Sequence, residues 1–263
     1  MNIHFTNKEL FEALKRASLA KIKVGSHMYG TNTEKSDIDF LYIYATSENE
    51  ISSFLNTHHQ LQYKEDGIDH NFVSLHTFLR NTLSGDSTIN FEVITSGSLK
   101  STLLGEIDAM KDDFITYSVI RSYLGLARRD IKFYKKSNDE SYKKKRIGHI
   151  IRGVMYAESM IDHTFDFEIV NKEFKDIELD VTTDHLLAMS EVKVIKLRNK
   201  LNQLLNERKL GLAKVMDVDS LKKLDSITRD IMNHNEFKEK RNNLKDFDMS
   251  MYLNAFENWV EYN

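Results

Sequence analysis

The chain has 263 residues, of which 41% are hydrophobic and 10% aromatic, enough to build the core of one large domain or two small ones. Its formal net charge of -3 excludes wholesale electrostatic binding to nucleic acid as the main activity, although a local basic patch remains possible. Because the chain contains no cysteine, disulfides, thiolate nucleophiles and cysteine-ligated zinc are excluded. Carboxylate, hydroxyl, imidazole and amine groups must therefore carry any chemistry.

The N-terminal part of the chain alternates between helical and strand patterns. A capping-box pattern at residues 6–9, followed by apolar residues at helical spacing, predicts a helix that runs to about Ala20. Ser74 is expected to cap a second helix, which Gly85 ends. The predicted strands cover residues 21–24, 37–44 and 67–73.

From about residue 112 the pattern changes to long helical segments. The predicted helices cover residues 112–136, 141–163, 183–209, 218–233 and 249–261. We therefore predict an α+β fold, in which a small mixed-sheet domain over residues 1–110 is followed by an all-helical domain over residues 111–263.

The most informative segment is the polar connection between the first two predicted strands. It begins with Gly25 and Ser26, directly after an apolar strand. Glycine permits close approach of the backbone, the serine hydroxyl can reach a phosphate oxygen, and a short helix after the turn would direct N–H groups at the same anion. The turn therefore predicts a site that holds a triphosphate.

Two aspartates stand at the start of the next predicted strand. Asp37 and Asp39 lie two residues apart, so their side chains point to one face of a strand at a spacing of roughly 6 to 7 Å. Such carboxylates suit Mg²⁺, which keeps part of its coordination for water and substrate phosphate. The same pair also occurs in metal-dependent glycosyltransferases, but the upstream Gly25-Ser26 turn favours nucleotidyl transfer. Taken alone, Asp37 could instead cap a turn and Ser26 a helix.

These residues carry a resemblance to a known family. The segment GSHMYGTNTEKSDIDFLYIY, residues 25–44, resembles the GS-x-DxD signature of the DNA polymerase β-like nucleotidyltransferase superfamily. It is most similar to a family of nucleotidyltransferases that includes RNA-repair-associated members and homologues in large phages. The similarity continues over residues 69–78, 85–92 and 145–158, so it covers about the first 165 residues.

The resemblance implies a reaction that uses two Mg²⁺ ions. A nucleoside monophosphate would pass from a nucleoside triphosphate, with ATP as the expected donor, to a hydroxyl acceptor with release of pyrophosphate. Asp37 and Asp39 would bind metal, and a third carboxylate from a neighbouring strand would join them and activate the hydroxyl. Asp69 is the best candidate, since Glu65 and Asp66 fit the spacing to the following helix less well. The acceptor could be an RNA end, a protein side chain or a small hydroxyl compound.

The third similar segment adds a candidate nucleotide-binding face. Lys145, His149, Arg152 and Tyr156 recur at helical spacing, which places them on one side of a helix. A cation, an imidazole, a guanidinium and a phenol suit a nucleotide, whereas the alternative is a solvated helix with a core tyrosine. With Gly25 and Ser26 they complete the predicted nucleotide-binding set.

A basic segment surrounds the start of that face. Residues 121–152 contain eleven Lys or Arg against three Asp or Glu, a local net charge of +8. This suits an RNA or nucleotide phosphate. A solvated surface is the alternative, because no RNA-binding motif with interleaved aromatic residues is visible in the sequence.

The sequence therefore predicts a magnesium-dependent nucleotidyltransferase whose helical domain closes over the nucleotide. The rival prediction is a non-catalytic regulatory or antitoxin-like protein that binds a partner and has kept the fold. No signal-like segment and no run of about 18 apolar residues occurs. We therefore expect no membrane partner and a cytoplasmic location, in the host cytoplasm if the chain is phage-encoded.

Overall fold

The computed structural model describes residues 2–34, 36–47, 60–177, 183–206 and 216–247. Within them a five-stranded mixed sheet is combined with many helices, which confirms the predicted α+β class. The strands are β1 (Asn2–His4), β2 (Ser18–Val24), β3 (Ile38–Tyr44), β4 (Gln60–Glu65) and β5 (Ile68–Ser74). The helices are α1 (Lys8–Arg16), α2 (Ser26–Tyr29), α3 (Leu75–Ser84), α4 (Thr88–Thr95), α5 (Gly105–Asp108), α6 (Tyr117–Lys136), α7 (Glu140–Ile161), α8 (Phe167–Lys175), α9 (Thr183–Asn206), α10 (Val218–Asn233) and α11 (Asn235–Asn242), with a 3₁₀ turn at Lys111–Phe114.

The sheet has the strand order β1-β4-β5-β3-β2. β3 and β5 pair in parallel, as do β1 and β4, whereas β2 pairs with β3 and β4 with β5 in antiparallel fashion. The tight turn between β4 and β5 is formed by Asp66 and Gly67, both at positive φ, 51° and 79°. An Asp-Gly pair at positive φ is typical of two-residue hairpins.

Helix α1 supplies much of the core on one face of the sheet. The Asn7 side chain accepts a hydrogen bond from the Leu10 amide and so caps the helix, one residue later than a capping box beginning at Thr6 would place it. The core between α1 and the sheet consists of Leu10, Phe11, Ala13, Leu14, Ala17, Tyr42, Tyr44, Leu61, Phe72 and Leu244. Since burying each large apolar side chain contributes roughly 1.5–3 kcal/mol, this contact fixes the sheet against α1.

Some predicted elements have different limits in the structure. The first helix ends at Arg16 and not near Ala20, because residues from Ser18 onward pair with β3. The sequence did not predict β1, β4, α4, α5, α8 or α11. The predicted helix over residues 249–261 lies outside the described residues.

Helices α6 and α7 pack along each other and form the centre of the helical part. Gly153 on α7 faces the α6 backbone, where an added Cβ would make an ordinary van der Waals contact of 3.6 Å with the Tyr123 oxygen. The two helices are joined by a short connection that ends with Asp139, whose side chain caps α7 by accepting from the Tyr142 amide.

The described chain clusters into two compact units. One holds the sheet and comprises Met1–Asn81, Gly97–Met110 and the part from Leu221, and the other comprises Thr82–Ser96 and Lys111–Ser220. One boundary therefore falls at Met110, but each unit is built from separate stretches of the chain. Helix α4 belongs to the helical unit, where Tyr123 donates a hydrogen bond to Glu92. Leu244, from the C-terminal part, belongs to the core of the sheet unit. The predicted functional division at residue 110 stays a prediction. None of the described helices is long and apolar enough to cross a membrane.

Candidate active site

The turn after β2 is shaped by a glycine. Gly25 has φ 67° and ψ −143°, and α2 begins at the next residue. A Cβ at this position would lie 3.1 Å from Oδ2 of Asp39. Glycine therefore serves two purposes here, since it accepts the positive φ and lets the Asp39 carboxylate lie against the turn.

Two of the predicted carboxylates are neighbours across the sheet. Asp39 on β3 is in register with Asp69 on β5, and in-register residues on paired strands project from the same face about 4.8 Å apart along the hydrogen-bonding direction. On its other side Asp39 is in register with Val24, the last residue before the Gly25 turn. The turn and the two carboxylates therefore meet at one end of the three strands.

Asp37, the remaining predicted carboxylate, lies just before β3 and is exposed. It lies two residues before Asp39, so if β3 were extended to include it, both side chains would project from the same face of the sheet. The structure brings Asp39 and Asp69 together directly and leaves Asp37 at the solvent side of the pair.

The alternatives to Asp69 lie elsewhere. Glu65 is in register with Ile68, so it projects from the opposite face of the sheet, where its carboxylate lies 3.5 Å from Lys8 Nζ at the start of α1. Asp66 is exposed in the hairpin turn. Of these candidates, Asp69 is the one that stands beside Asp39, while its role as a base stays a prediction.

A lysine borders the carboxylate pair. Lys64 on β4 is in register with Asp69, and its Nζ lies 3.5 Å from Asp69 Oδ1. The lysine side chain is 65% exposed, so this ion pair contributes at most about 1 kcal/mol to stability. Lys64 is a cation that phosphate could engage in place of Asp69.

The opposite face of the same strands is closed by a buried hydrogen bond. The Tyr42 hydroxyl and His70 Nδ1 lie 3.1 Å apart. Burial, with the charge of Glu12 adding to it, raises the pKa of Tyr42 to about 12, and burial together with nearby lysines lowers the pKa of His70. This hydrogen bond links β3 and β5 on the face of the sheet opposite Asp39 and Asp69.

The donor atoms around the carboxylate pair limit the kind of metal site that it can form. Among the described residues no group of three or more His, Cys, Asp or Glu is arranged to hold a metal ion. The predicted three-ligand set of Asp37, Asp39 and Asp69 is therefore not assembled as a protein-only metal site. The adjacent Asp39 and Asp69 nevertheless fit Mg²⁺, because this ion is usually held by one or two carboxylates and completed by water and substrate phosphate.

The predicted nucleotide-binding face on α7 is only partly a surface. Lys145 is exposed and His149 is 39% exposed, whereas the Arg152 guanidinium stacks over the Phe174 ring at 5.5 Å. Tyr156 is 0% exposed and accepts a hydrogen bond of 2.7 Å from Asn171. Burial, with the charge of Glu92 adding to it, raises its pKa. We therefore correct this assignment: Tyr156 is a core residue, and the helical spacing could not show that this end of the stripe is buried.

A group that the sequence did not point to lies beside this face. Asp130 on α6 is 3% exposed and contacts Arg146 and His149 on α7. The available signal was an acidic residue in the interior of the basic segment, at a position where the neighbouring apolar spacing predicts burial.

A mixed sheet that sets paired aspartates beside a Gly-Ser turn is the arrangement expected of a nucleotidyltransferase of the polymerase β superfamily. The chain belongs to the RNA repair pathway DNA polymerase beta family (RlaP), whose family model matches residues 9–256. This match extends well beyond residue 165, where the similarity visible in the motifs ended.

The other comparisons add little. No curated protein matches the chain by sequence. A similar solved structure is a nucleotidyltransferase-like protein from Exiguobacterium sibiricum 255-15, which is 10% identical, with 94% of this chain and 89% of that chain covered and a TM-score of 0.28. A likeness of this size carries no argument about the site.

Proposed function

We propose that this protein is a magnesium-dependent nucleotidyltransferase that transfers a nucleoside monophosphate from a nucleoside triphosphate, with ATP as the expected donor, to a hydroxyl acceptor and releases pyrophosphate. The observation that supports it most is the register of Asp39 with Asp69, next to a turn in which Gly25 leaves room for the Asp39 carboxylate. Two like charges side by side are unfavourable unless a cation offsets them.

In this proposal each residue of the site has a defined task. Asp39 and Asp69, with Asp37 at the solvent side, would hold Mg²⁺, which neutralises charge on the triphosphate and the departing pyrophosphate. The Gly25-Ser26 turn binds phosphate oxygens through the Ser26 hydroxyl and backbone N–H groups. Asp69 accepts the proton of the attacking hydroxyl, and Lys64 is placed to contact phosphate at the edge of the site.

The chemical class of the acceptor is proposed from the family description and not from the residues of the sheet. The family description names an RNA repair pathway, which favours an RNA end over a protein side chain or a small hydroxyl compound. Lys145, His149 and Arg152 remain proposed nucleotide-binding residues on α7.

A labelling experiment tests the proposal. The protein is incubated with Mg²⁺, an RNA oligonucleotide and each nucleoside triphosphate, labelled in one series on the α-phosphate and in another on the γ-phosphate. We expect label from the α-phosphate in the RNA and label from the γ-phosphate in pyrophosphate. Transfer of the γ-label to the acceptor would indicate a kinase instead. No transfer to RNA, to protein in a cell extract or to small molecules would favour the non-catalytic rival.

A further inference from the structure

The α6–α7 pair carries two stripes of basic and aromatic residues. On α6 the stripe consists of Arg129, Lys132, Phe133 and Lys136, and on α7 of Tyr142, Lys145, Arg146 and His149. Each stripe has the spacing i, i+3, i+4, i+7, so its members lie on one side of their helix. We call these eight residues the basic–aromatic face.

Arg146 joins the two stripes across the helix pair. Its guanidinium lies 4.6 Å from the Tyr142 ring on its own helix and 5.5 Å from the Phe133 ring on α6. Its Nη1 also lies 3.1 Å from Oδ1 of the buried Asp130. The aromatic rings and the guanidinium therefore form one connected group of planar side chains.

Asp130 fixes this arrangement from within the helix pair. Besides Arg146, its carboxylate contacts Arg129 Nε at 3.4 Å and His149 Nδ1 at 3.6 Å. Burial tends to raise the pKa of Asp130, but the approach of His149 and the charges of Arg146 and Arg129 outweigh burial and hold that pKa below its usual value. One buried anion thus orients three side chains of the face, which reduces the entropy that they would lose on binding a ligand.

The rest of the face is open to solvent. Phe133 is 42% exposed, and Lys132, Lys136 and Lys145 are exposed. Within the described part of the chain none of these three lysines forms an ion pair. The face therefore offers unneutralised cations beside flat apolar rings, the interleaving that could not be seen in the linear sequence.

This combination selects among anionic partners. An acidic peptide or a lipid headgroup would use the lysines but has no need of stacked planar groups. A single-stranded nucleic acid uses both, since its phosphates pair with Lys and Arg while its unpaired bases stack on aromatic rings and guanidinium planes. In a duplex the bases are already stacked and are not available to Phe133.

We infer that the basic–aromatic face binds a single-stranded polynucleotide. The inference deepens the proposed function, because such a strand would be the acceptor of nucleotidyl transfer, and in that respect it rests on that function. Binding at the face itself requires neither nucleoside triphosphate nor Mg²⁺, so the two can be tested separately.

The test measures binding of a fluorescent 12-nucleotide RNA to the full chain by anisotropy at several salt concentrations, without nucleotide or metal. DNA of the same sequence and the annealed RNA duplex serve as further probes. Lys132→Ala/Lys136→Ala should weaken binding of the single strand and lower the slope of log K against log salt by about 1.4, since each phosphate contact contributes about 0.7. Lys172→Ala/Lys196→Ala, two exposed lysines of the same unit on α8 and α9, is the control with equal charge change and should leave the slope unaltered.

A second variant tests stacking apart from charge. Phe133→Ala removes an exposed ring, so the fold should be retained, as a thermal melt would verify. Stacking of a base on an aromatic ring contributes about 1–3 kcal/mol, so we expect binding to weaken roughly fivefold to a hundredfold with the salt slope unchanged. The duplex should bind more weakly than the single strand and should not respond to Phe133→Ala.

Several results would overturn the inference. They are absence of binding at low salt, equal effects of the two double-lysine variants, or an unchanged affinity of Phe133→Ala together with equal binding of duplex and single strand. Asp39→Asn separates the two claims, because it should bind the RNA normally. If the parent protein binds RNA but transfers nothing, the proposed function is wrong and RNA binding at the face is supported. If Lys132→Ala/Lys136→Ala transfers to RNA as well as the parent does, RNA binding at the face is wrong and the proposed function is supported.

Discussion

The two polar sites of this protein are built in opposite ways. In the sheet unit, Asp39 and Asp69 are like charges that the register of two strands sets side by side. In the helical unit, Asp130 is one buried acid that contacts Arg129, Arg146 and His149. The first site sets two anions side by side with the largely exposed Lys64 at its edge, whereas the second surrounds one buried anion with basic side chains.

This difference separates function from stability. Removing a charge from the sheet site should relieve repulsion and abolish chemistry, while removing the charge of Asp130 should leave cations without their buried partner and weaken the fold. Substitutions at matched positions in the two sites test this contrast.

The largest effect is expected for Asp39→Asn. Losing a metal-binding charge removes several kcal/mol of transition-state stabilisation, so transfer should fall on the order of a thousandfold. Stability toward urea should be unchanged or slightly higher, because repulsion with Asp69 is relieved. Asp66→Asn in the exposed turn is the control and should keep the activity of the parent. Transfer within a few-fold of the parent for Asp39→Asn would remove the metal assignment.

Asp69→Asn should act on the chemical step. Asparagine keeps the size of the side chain but cannot accept the proton, so the single-turnover rate should fall on the order of a hundredfold. Nucleotide binding, measured directly, should change little. A normal rate for Asp69→Asn beside a collapsed rate for Asp66→Asn would reverse the assignment of the base.

Asp130→Asn should lower the free energy of unfolding by roughly 2 kcal/mol near neutral pH, the range for hydrogen bonds to a charged group. Because the folded-state pKa of Asp130 lies below its usual value, its stabilising contribution is complete above the unfolded-state pKa and is lost as the pH falls through the folded-state pKa. The variant should lack this part of the acid dependence in urea titrations.

Asp225→Asn is the control for that prediction, since its carboxylate also meets an arginine, Arg229, but at an exposed position. Its effect on unfolding should stay below about 1 kcal/mol. If the two variants lost equal free energies of unfolding, the burial of Asp130 would not strengthen its contribution to stability.

Gly25→Ala compared with Gly67→Ala tests the close approach of Asp39 to the turn. Both glycines have positive φ, 67° and 79°, so alanine should cost at least about 1–2 kcal/mol in stability at either position. The cost should be larger at Gly25, whose ψ of −143° lies outside the left-handed helical region. A Cβ at Gly25 meets Asp39 Oδ2 at 3.1 Å, whereas nothing lies within 4 Å of a Cβ at Gly67. Transfer, corrected for the folded fraction, should therefore fall about tenfold further for Gly25→Ala. Equal activities would show that the Asp39 position tolerates displacement.

A small effect on stability is expected for Lys64→Ala, because its ion pair with Asp69 is largely exposed. The free energy of unfolding should change by less than about 1 kcal/mol, and less still at high salt. A loss as large as that of Asp130→Asn would contradict the contrast between the two sites.

The sequence was most informative where a residue type is demanded by the backbone or by chemistry. Gly25 is required by its φ and by the carboxylate beside it, and the aspartates stand at the start of a strand otherwise made of apolar residues. These features pointed to the Gly25 turn and to the aspartates of β3, whereas Asp69 was expected only from the family resemblance. The structure adds the observation that Asp39 and Asp69 are neighbours, and their roles stay predictions. What they bind stays a proposal.

Elements without a local signal could not be predicted. β4 is short and polar, and its strand conformation depends on pairing with β5, so tertiary contacts decide where propensity does not. The basic–aromatic face on α6 and α7 could not be predicted from the sequence for a related reason. Phe133 and Arg146 are distant in sequence, and their contact depends on how the helices pack.

The parallel pairing of β3 with β5 has a consequence for the order of folding. The β4–β5 hairpin is local and can close early through its Asp66-Gly67 turn, but β3 reaches β5 only after the intervening chain has been brought back alongside it. A chain emerging from the ribosome therefore exposes the Gly25 turn and Asp39 before Asp69 has been made. The carboxylate pair therefore forms only when β3 and β5 have paired, and under the proposed function the chain would bind Mg²⁺ at this site only from that point on.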